Sequence, residues 1–255
     1  MTTSQRLDAQ ESLFLNRVQE WLMRALDRQE PNLTPFLDPR QLGLLLRHTS
    51  GYALAVESWG GYPGAERCRA VLAPEYWSIQ EETFQLAYLQ VQVPPGARLD
   101  HSDYLGALIG LGLSRDVLGD LLVGAHDCQA ILAAPVLPVV LQELHQVGRY
   151  EAKAVPISAD QLHPLAPRIK EIRTTVSAAR LDAVASAGFG LSRSQVAGLI
   201  KGGKARVNWG VVAEPSAHVR EGDVISLRGH GRIRLMQLGP ATKGGRLHLQ
   251  VIRYL

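Results

Sequence analysis

The chain has 255 residues, of which 46 % are hydrophobic and 20 % are charged, a composition typical of an ordinary globular protein. No stretch contains the roughly 18 consecutive apolar residues of a transmembrane helix, which argues against a membrane-spanning protein of the helical kind. The two cysteines, Cys68 and Cys128, are too few for a disulfide scaffold and favour a reducing, cytoplasmic compartment.

The net charge of +3 combines two parts of opposite sign. Residues 1–167 contain 12 Lys and Arg against 19 Asp and Glu, a net charge of −7, whereas residues 168–255 contain 15 against 5, a net charge of +10. A basic segment of this kind predicts a polyanionic partner, such as a nucleic acid, for the C-terminal part. The alternative is a solvated basic surface that has no partner.

The first 160 residues are predicted to combine helices and strands. An amphipathic helix is expected over 6–29, and a second helix over 38–48, with Asp38 as its N-cap and Pro39 at its first position. The elements expected next are strands at 67–73 and 84–93, a helix at 103–113, strands at 117–123 and 129–133, a helix at 135–146 and a strand at 150–157. This order is typical of a small α+β domain, ferredoxin-like or RRM-like, with helices on one face of a sheet.

A proline-containing segment, residues 161–167, lies where the charge changes sign and indicates a linker. The fold class predicted for the whole chain is α+β. The predicted division is an N-terminal helical segment at 1–50, a central α+β domain at 51–160, a linker at 161–172 and a C-terminal domain at 173–255.

The C-terminal domain begins with a predicted helix-turn-helix. Arg180 stands at the start of a short helix that ends near Gly188, and Ser192 caps the next helix, with Gln195 three residues later completing a capping box. Glycines 202 and 203 end this second helix. A small twisted sheet is then expected from strands at 204–208, 211–213 and 224–228.

Several cations of this segment are predicted to form one RNA-binding surface. Arg193 and Lys201 are eight residues apart on one helix and therefore share a face, while Lys204 and Arg206 point to the same side of a strand. Serine hydroxyls at the helix start are suited to sugar-phosphate contacts. The predicted RNA-binding residues are Arg180, Ser192, Arg193, Ser194, Lys201, Lys204, Arg206, Asn208 and Trp209.

The same segment resembles the S4 RNA-binding domain. The motifs that carry the resemblance, in order and spacing, are Arg180-Leu181-Asp182, Ser192-Arg193-Ser194-Gln195, Leu199-Ile200-Lys201, Val207-Asn208 and Arg220-Glu221-Gly222-Asp223. One departure concerns the usual Asn-Gly turn, which is Asn208-Trp209-Gly210 in this chain. The additional indole either stacks on a base or covers the sheet.

The front part of the chain resembles the YlmH family, which includes the photosystem II S4 domain protein of cyanobacteria and plastids. The matching segments are 60–67, 101–112 and 115–121. With the S4 motifs, we expect structured RNA as the ligand, ribosomal RNA and/or tRNA. The resemblance to the YlmH family implies the large ribosomal subunit as a partner, in rescue of stalled nascent chains. For the photosynthetic subgroup it implies a photosystem-related partner and, in a photosynthetic eukaryote, a plastid location.

An enzymatic function is disfavoured by the motifs. Arg180-Leu181-Asp182 shares three letters with pseudouridine synthases but lacks the turn that follows the catalytic aspartate, and no phosphate-binding loop or zinc-ligand spacing is present. The remaining acid–base candidates, Asp100, His101 and Asp103 with His126, Asp127 and Cys128, have the pattern of a helix cap and a hairpin turn. We therefore expect a monomeric RNA-binding protein with no catalytic residue, no metal and no cofactor. The alternatives are an assembly factor for photosystem II and, less favoured, an RNA-modifying enzyme.

Overall fold

The computed structural model describes residues 9–124, 126–164, 169–242 and 244–254. The chain forms two compact units, which meet in sequence between Leu165 and Ala166. Among the described residues, no helix combines the length and the apolar composition required to cross a bilayer.

The first unit consists of helices and antiparallel strands, as the α+β prediction requires. Its helices are α1 (Ala9–Arg28), α2 (Pro39–Thr49), α3 (His101–Gly110) and α4 (Leu137–Glu143). Its strands are β1 (Asn32–Leu33), β2 (Leu54–Trp59), β3 (Arg69–Pro74), β4 (Leu86–Gln92), β5 (Leu118–Val123), β6 (Asp127–Ala133), β7 (Gln146–Val147), β8 (Tyr150–Glu151) and β9 (Lys153–Ile157). Turns of 3-10 helix cover Glu81–Phe84, Arg115–Val117, Ala134–Val136 and Ala159–Gln161.

The two N-terminal helices form where the sequence predicts them, although residues 6–8 of the first prediction lie outside the described residues. The Asp38 carboxylate accepts a hydrogen bond from the Gln41 amide at 2.9 Å, and the Gln41 side chain accepts one from the Asp38 amide at 2.9 Å. This capping box satisfies amides that have no partner within the helix and fixes the start of α2. Both helices pack against a three-stranded sheet in the order β1-β3-β2.

A second, four-stranded sheet has the order β5-β6-β4-β9, and all its neighbours are antiparallel. One face packs against residues of α3 and α4, including Tyr104, Leu108 and Val140. On the other face, Phe36 and Tyr62 from the N-terminal part pack with Ile131. The two sheets therefore belong to one unit with continuous hydrophobic packing.

The junction of these two sheets is held by one carboxylate and one guanidinium. Asp120 accepts hydrogen bonds from the Tyr62 hydroxyl at 2.8 Å and from the amides of Glu66 and Arg67 at 2.7 and 3.1 Å. The Arg67 side chain donates to the carbonyls of Phe36, Arg115 and Leu118 at 3.0, 2.9 and 2.8 Å. Burial lowers the pKa of Arg67. Its guanidinium therefore stabilises the interior of the unit rather than forming an exposed ion pair at the surface.

The second unit is a six-stranded antiparallel sheet covered on one face by two short helices. Its elements are β10 (Ile169–Val176), α5 (Leu181–Phe189), α6 (Arg193–Lys201), β11 (Ala205–Val207), β12 (Gly210–Val211), β13 (Val224–Leu227), β14 (Gly231–Ala241) and β15 (Leu247–Tyr254). The strand order is β10-β15-β14-β13-β11-β12. The helix-turn-helix and the strands β11 to β13 lie where they were predicted, within two residues at each end.

Three of the six strands, β10, β14 and β15, were not predicted. The last four residues of the predicted linker, 169–172, belong to β10, and β14 and β15 lie beyond the last predicted strand. Their alternation, as in Arg232-Ile233-Arg234-Leu235, has the period of two that marks a half-buried strand. Gly188 of α5 allows the close approach of helix and sheet, because a Cβ there would lie 2.5 Å from Cδ1 of Ile233.

We expect Asp120→Ala to lower the free energy of unfolding of the first unit by about 3 kcal/mol, because it leaves three donors without their acceptor at a half-buried junction. Denaturant unfolding followed by tryptophan fluorescence measures this, since Trp21, Trp59 and Trp77 all lie in that unit. Asp116→Ala is the control: its carboxylate is half-exposed and 4.0 Å from Arg17, so we expect a change below about 0.5 kcal/mol. Equal effects of the two substitutions would contradict a structural role for Asp120.

Candidate nucleic-acid interface

The start of α6 is fixed by the predicted capping box. The Ser192 hydroxyl accepts a hydrogen bond from the Gln195 amide at 3.2 Å, and the Gln195 side chain accepts one from the Ser192 amide at 3.0 Å. The Ser192 and Ser194 hydroxyls lie 3.0 Å apart. Because the cap fixes the first turn of the helix, it also fixes the backbone from which Arg193 and the exposed Ser194 project.

Asp182 joins the two arginines of the predicted site. Its side chain is 8 % exposed and accepts hydrogen bonds from Arg193 Nη2 at 2.7 Å and from Arg180 Nε and Nη2 at 3.2 and 3.3 Å. The two arginine side chains remain 50 % and 44 % exposed, so each can contact a ligand. Burial alone would raise the pKa of Asp182, but the hydrogen bonds and charges of the two arginines lower it.

Asp182 is a link between the two arginines that the sequence did not predict. The signal was present, since Arg180-Leu181-Asp182 was recognised as part of the S4 motif, but the aspartate was weighed only as a catalytic residue. Its position on the first turn of α5, two residues after Arg180 and opposite the start of α6, suits the role of a shared anchor. The carboxylate restricts both guanidinium groups before any ligand arrives.

Lys201 is the last residue of α6, and its charge acts on Glu214 together with that of Arg180. The pKa of Glu214 is lowered, first by hydrogen bonds from Ser216 and further by the charges of Lys201 and Arg180. Glu214 is therefore an acidic neighbour of both cations. We call Arg180, Arg193 and Lys201, with Ser192 and Ser194, the helix-side cluster.

Arg206 lies on a different face from the helix-side cluster. Ala205 and Val207 pack in the core against α5 and α6, and since side chains alternate along a strand, Arg206 projects from the opposite face of the sheet. Its Nη1 donates to the Trp209 carbonyl at 3.4 Å. Lys204, two residues before Arg206, is exposed and directly precedes β11, and its carbonyl accepts a hydrogen bond from the Arg228 amide at 2.9 Å. The predicted cations thus fall into two groups rather than one continuous surface.

Asn208 and Trp209 form a two-residue hairpin turn between β11 and β12. Both have positive φ, 48° and 65°, as a type I′ turn requires. The Asn208 side chain donates to Asp223 at 2.8 Å and accepts from the Val224 amide at 2.9 Å, which ties the turn to the start of β13. A tryptophan at positive φ is conformationally costly, by about 1 kcal/mol, where glycine would have no such cost.

Two of the other titratable candidates, Asp100 and Asp127, accept hydrogen bonds that fix local structure. Asp100 caps α3 by accepting hydrogen bonds from the amides of Ser102 and Asp103 at 2.7 and 3.2 Å, as the sequence predicted. Asp127 accepts a hydrogen bond from Gln90 at 2.5 Å, and Cys128 is buried. Among the described residues, no three His, Cys, Asp or Glu side chains are grouped so that they could hold a metal ion.

We expect Trp209→Gly to be more stable than Trp209→Ala by about 1 kcal/mol, since both lose the indole but only glycine accepts positive φ without strain. Hydrogen exchange of the amides of β11 and β13 reports the local free energy of opening in the intact chain. Equal exchange rates in the two variants would show that the turn is unstrained.

We expect the stability that Asp182 contributes to be lost at low pH. Its pKa is lower in the folded than in the unfolded chain, so the contribution is complete above the unfolded value of about 3.9 and disappears as the pH falls through the folded value. In Asp182→Asn, the free energy of unfolding should be about 2 kcal/mol lower at pH 7 and should decline less between about pH 4 and pH 2. Urea titrations followed by NMR signals of α5 and α6 measure both quantities, and identical pH profiles for the two proteins would contradict the assignment.

Comparison with known proteins assigns the chain to a family. Residues 10–77 match the family model "YlmH, N-terminal", residues 80–161 match "Putative RNA-binding domain in YlmH", and residues 179–225 match "S4 domain". The chain is 36 % identical over 234 residues, 91 % of each chain, to "Ribosome-associated protein quality control protein P2" of Bacillus subtilis (strain 168). A solved structure of "Cell division protein ylmH from Streptococcus pneumoniae" is similar in fold, with a TM-score of 0.56 and 23 % identity, covering 64 % of this chain and all of that one. The chain belongs to the YlmH family.

Proposed function

We propose that this protein is a non-catalytic RNA-binding protein that docks on structured RNA, ribosomal RNA and/or tRNA, in ribosome-associated quality control or translation. The observation that carries the proposal is the pair Arg180 and Arg193, which share the buried carboxylate of Asp182 and keep about half of each side chain exposed. A buried anchor beneath two exposed guanidinium groups is suited to binding anionic oxygens in a fixed arrangement.

The helix-side cluster determines the expected type of recognition. Its guanidinium and ammonium groups contact phosphates and release counterions, so affinity falls as salt is raised. The exposed Ser194 hydroxyl is available for a sugar or phosphate oxygen. Specificity comes from the shape of the RNA, because side chains do not reach the bases in the deep major groove of an A-form helix. Lys204, which is exposed between α6 and β11, adds a further cation to the proposed RNA contacts.

The ribosomal setting of the proposal is supported by the relatives. The B. subtilis protein is named for ribosome-associated quality control, and the similarity to it extends over 91 % of the chain. The model that matches residues 80–161 is described as an RNA-binding domain, so the first unit provides a second contact with RNA in this proposal. The alternative role in photosystem II assembly gains no support from the relatives.

The double substitution Arg193→Ala/Lys201→Ala tests the proposal on the intact protein. We expect its affinity for ribosomal subunits and for a tRNA to fall on the order of ten-fold or more. The slope of log K against log salt should become shallower by roughly two, one for each phosphate that the variant no longer neutralises. The measurement is equilibrium binding across a salt series.

A matched control removes the same charge elsewhere. Arg24→Ala/Arg47→Ala changes two exposed arginines of the first unit, and we expect its binding to tRNA to stay within about three-fold of that of the unchanged protein. Equal losses in both double variants would indicate a non-specific effect of net charge. Unchanged binding of the Arg193/Lys201 variant would overturn the helix-side cluster as the RNA site.

A further inference from the structure

The six-stranded sheet has a second face that α5 and α6 do not cover, which we call the outer face. The strand register aligns one residue from each of the six strands in a row across this face. The next row lies two residues further along the strands. The first row consists of Val211, Arg206, Ser226, Arg232, Tyr254 and Ile169, in the order β12 to β10. The second row, on β13, β14, β15 and β10, consists of Val224, Arg234, Ile252 and Glu171.

The outer face is strongly basic. The two rows contribute three arginines, and Arg173 follows on β10 in the next row, beside Gln250. The one acidic residue in these rows, Glu171, lies 2.8 Å from Arg173 and accepts a hydrogen bond from Gln250. These three rows of the described chain therefore contain four arginines and one glutamate.

Aromatic and apolar side chains lie between these cations. The Arg232 guanidinium carbon lies 5.2 Å from the centroid of the Tyr254 ring, within the range of a cation–π contact. Ile169 and Val211, at the two ends of the first row, are 52 % and 49 % exposed. This face combines arginines with an aromatic ring and two exposed apolar side chains, and arginines with aromatic rings are the groups that pair with phosphates and stack on bases of single-stranded nucleic acid.

A groove continues the outer face on β10, β14 and β15. It has a volume of about 570 Å³ and is lined by Arg173, Thr175, Gln237, Gly239, His248 and Gln250, among others. A β-bulge between Leu235 and Gln237 interrupts the pairing of β14 with β15 at this point. Hydroxyl, amide and imidazole groups in a groove can each donate or accept hydrogen bonds with nucleotide bases or ribose hydroxyls.

We infer that the outer face binds a single-stranded RNA segment, which continues from the structured RNA that the helix-side cluster contacts. This inference depends on the proposed function for the identity of the ligand as RNA. The arginines match the charge of the phosphates, the Tyr254 ring offers a stacking surface for a base, and the groove contains groups for base edges. A duplex fits less well, because its stacked bases do not expose ring faces to the sheet.

The dimensions of the surface agree with a short single strand. Six strands spaced about 4.8 Å apart make the first row roughly 24 Å long. Nucleic-acid-binding sheets of comparable size hold about four or more nucleotides. An acidic protein segment would match the arginines but would leave the ring and the hydrogen-bonding groove without a specific role, so RNA is the better occupant.

The test uses the full-length protein and three RNA probes: a blunt hairpin, the same hairpin with a single-stranded extension of about ten nucleotides, and the extension alone. The outer-face variant is Arg232→Ala/Arg234→Ala, and Tyr254→Leu is a second variant that keeps every charge. Arg193→Ala/Lys201→Ala reports the helix-side cluster, and Arg24→Ala/Arg47→Ala controls for net charge.

We expect the extension to strengthen binding of the unchanged protein by about ten-fold, and both outer-face substitutions to abolish this gain while affinity for the blunt hairpin stays within about three-fold. In Tyr254→Leu the gain should disappear without a change in salt slope, which separates stacking from charge. The Arg193/Lys201 variant should instead lose affinity for the blunt hairpin.

Failure of the inference is distinguishable from failure of the proposed function. If no variant affects the blunt hairpin but the outer-face variants lose the extension alone, the inference stands and the helix-side cluster is overturned. If the extension adds no affinity, or the outer-face variants keep the whole gain, the inference is overturned. If those variants bind every RNA normally but lose ribosomal subunits, it is overturned in favour of an acidic protein partner.

Discussion

The second unit depends on the limited cover that two short helices give to a wide sheet. Helices α5 and α6 have nine residues each, about 14 Å in length, whereas six strands extend over roughly 24 Å. The apolar side chains of the sheet are therefore concentrated on the one face that the helices cover, where sixteen buried residues form the core. Charged side chains of the second unit lie on the helix surfaces and on the outer face of the sheet. Because the core lies between these two regions, the unit has two separate basic surfaces.

Charge has a different role in the first unit. Arg67 and Arg69 direct their guanidinium groups at backbone carbonyls, and burial lowers the pKa of both side chains. The Asp120 carboxylate satisfies two amides and a phenol hydroxyl in the same region. Counting charges along the sequence treats these groups as surface charges, although they hold loops and sheets together. The net charge of a segment therefore indicates a binding surface only when charged groups that form hydrogen bonds inside the protein are left out of the count.

Sequence reasoning was most successful where the determinants are local. The starts of α2, α3 and α6 follow from capping boxes, in which the N-cap residue bonds with the residue three positions later. The S4 motifs predict both helices of the second unit. Strand β10 was not predicted, and its partner lies more than 70 positions away in sequence. Strands β14 and β15 pair with each other over much shorter separations and were missed although β14 shows the period of two. The grouping of cations was likewise misjudged for Arg206, since the face it occupies depends on which neighbours are buried. Asp182 was recognised as a letter of a motif, but its link to Arg193 exists only in three dimensions.

The position of β15 in the sheet has a consequence for biosynthesis. β10, the first strand of the second unit to be made, is an edge strand whose neighbour is β15, the last. The helices and the central strands have their partners once residues up to β14 are outside the ribosome, but β10 has no strand to pair with until residues 247–254 have also emerged. Such long-range closure slows folding. A chain that ended before β15 would retain the helix-side arginines but lack the Tyr254 ring, so only one of the two basic surfaces would be complete.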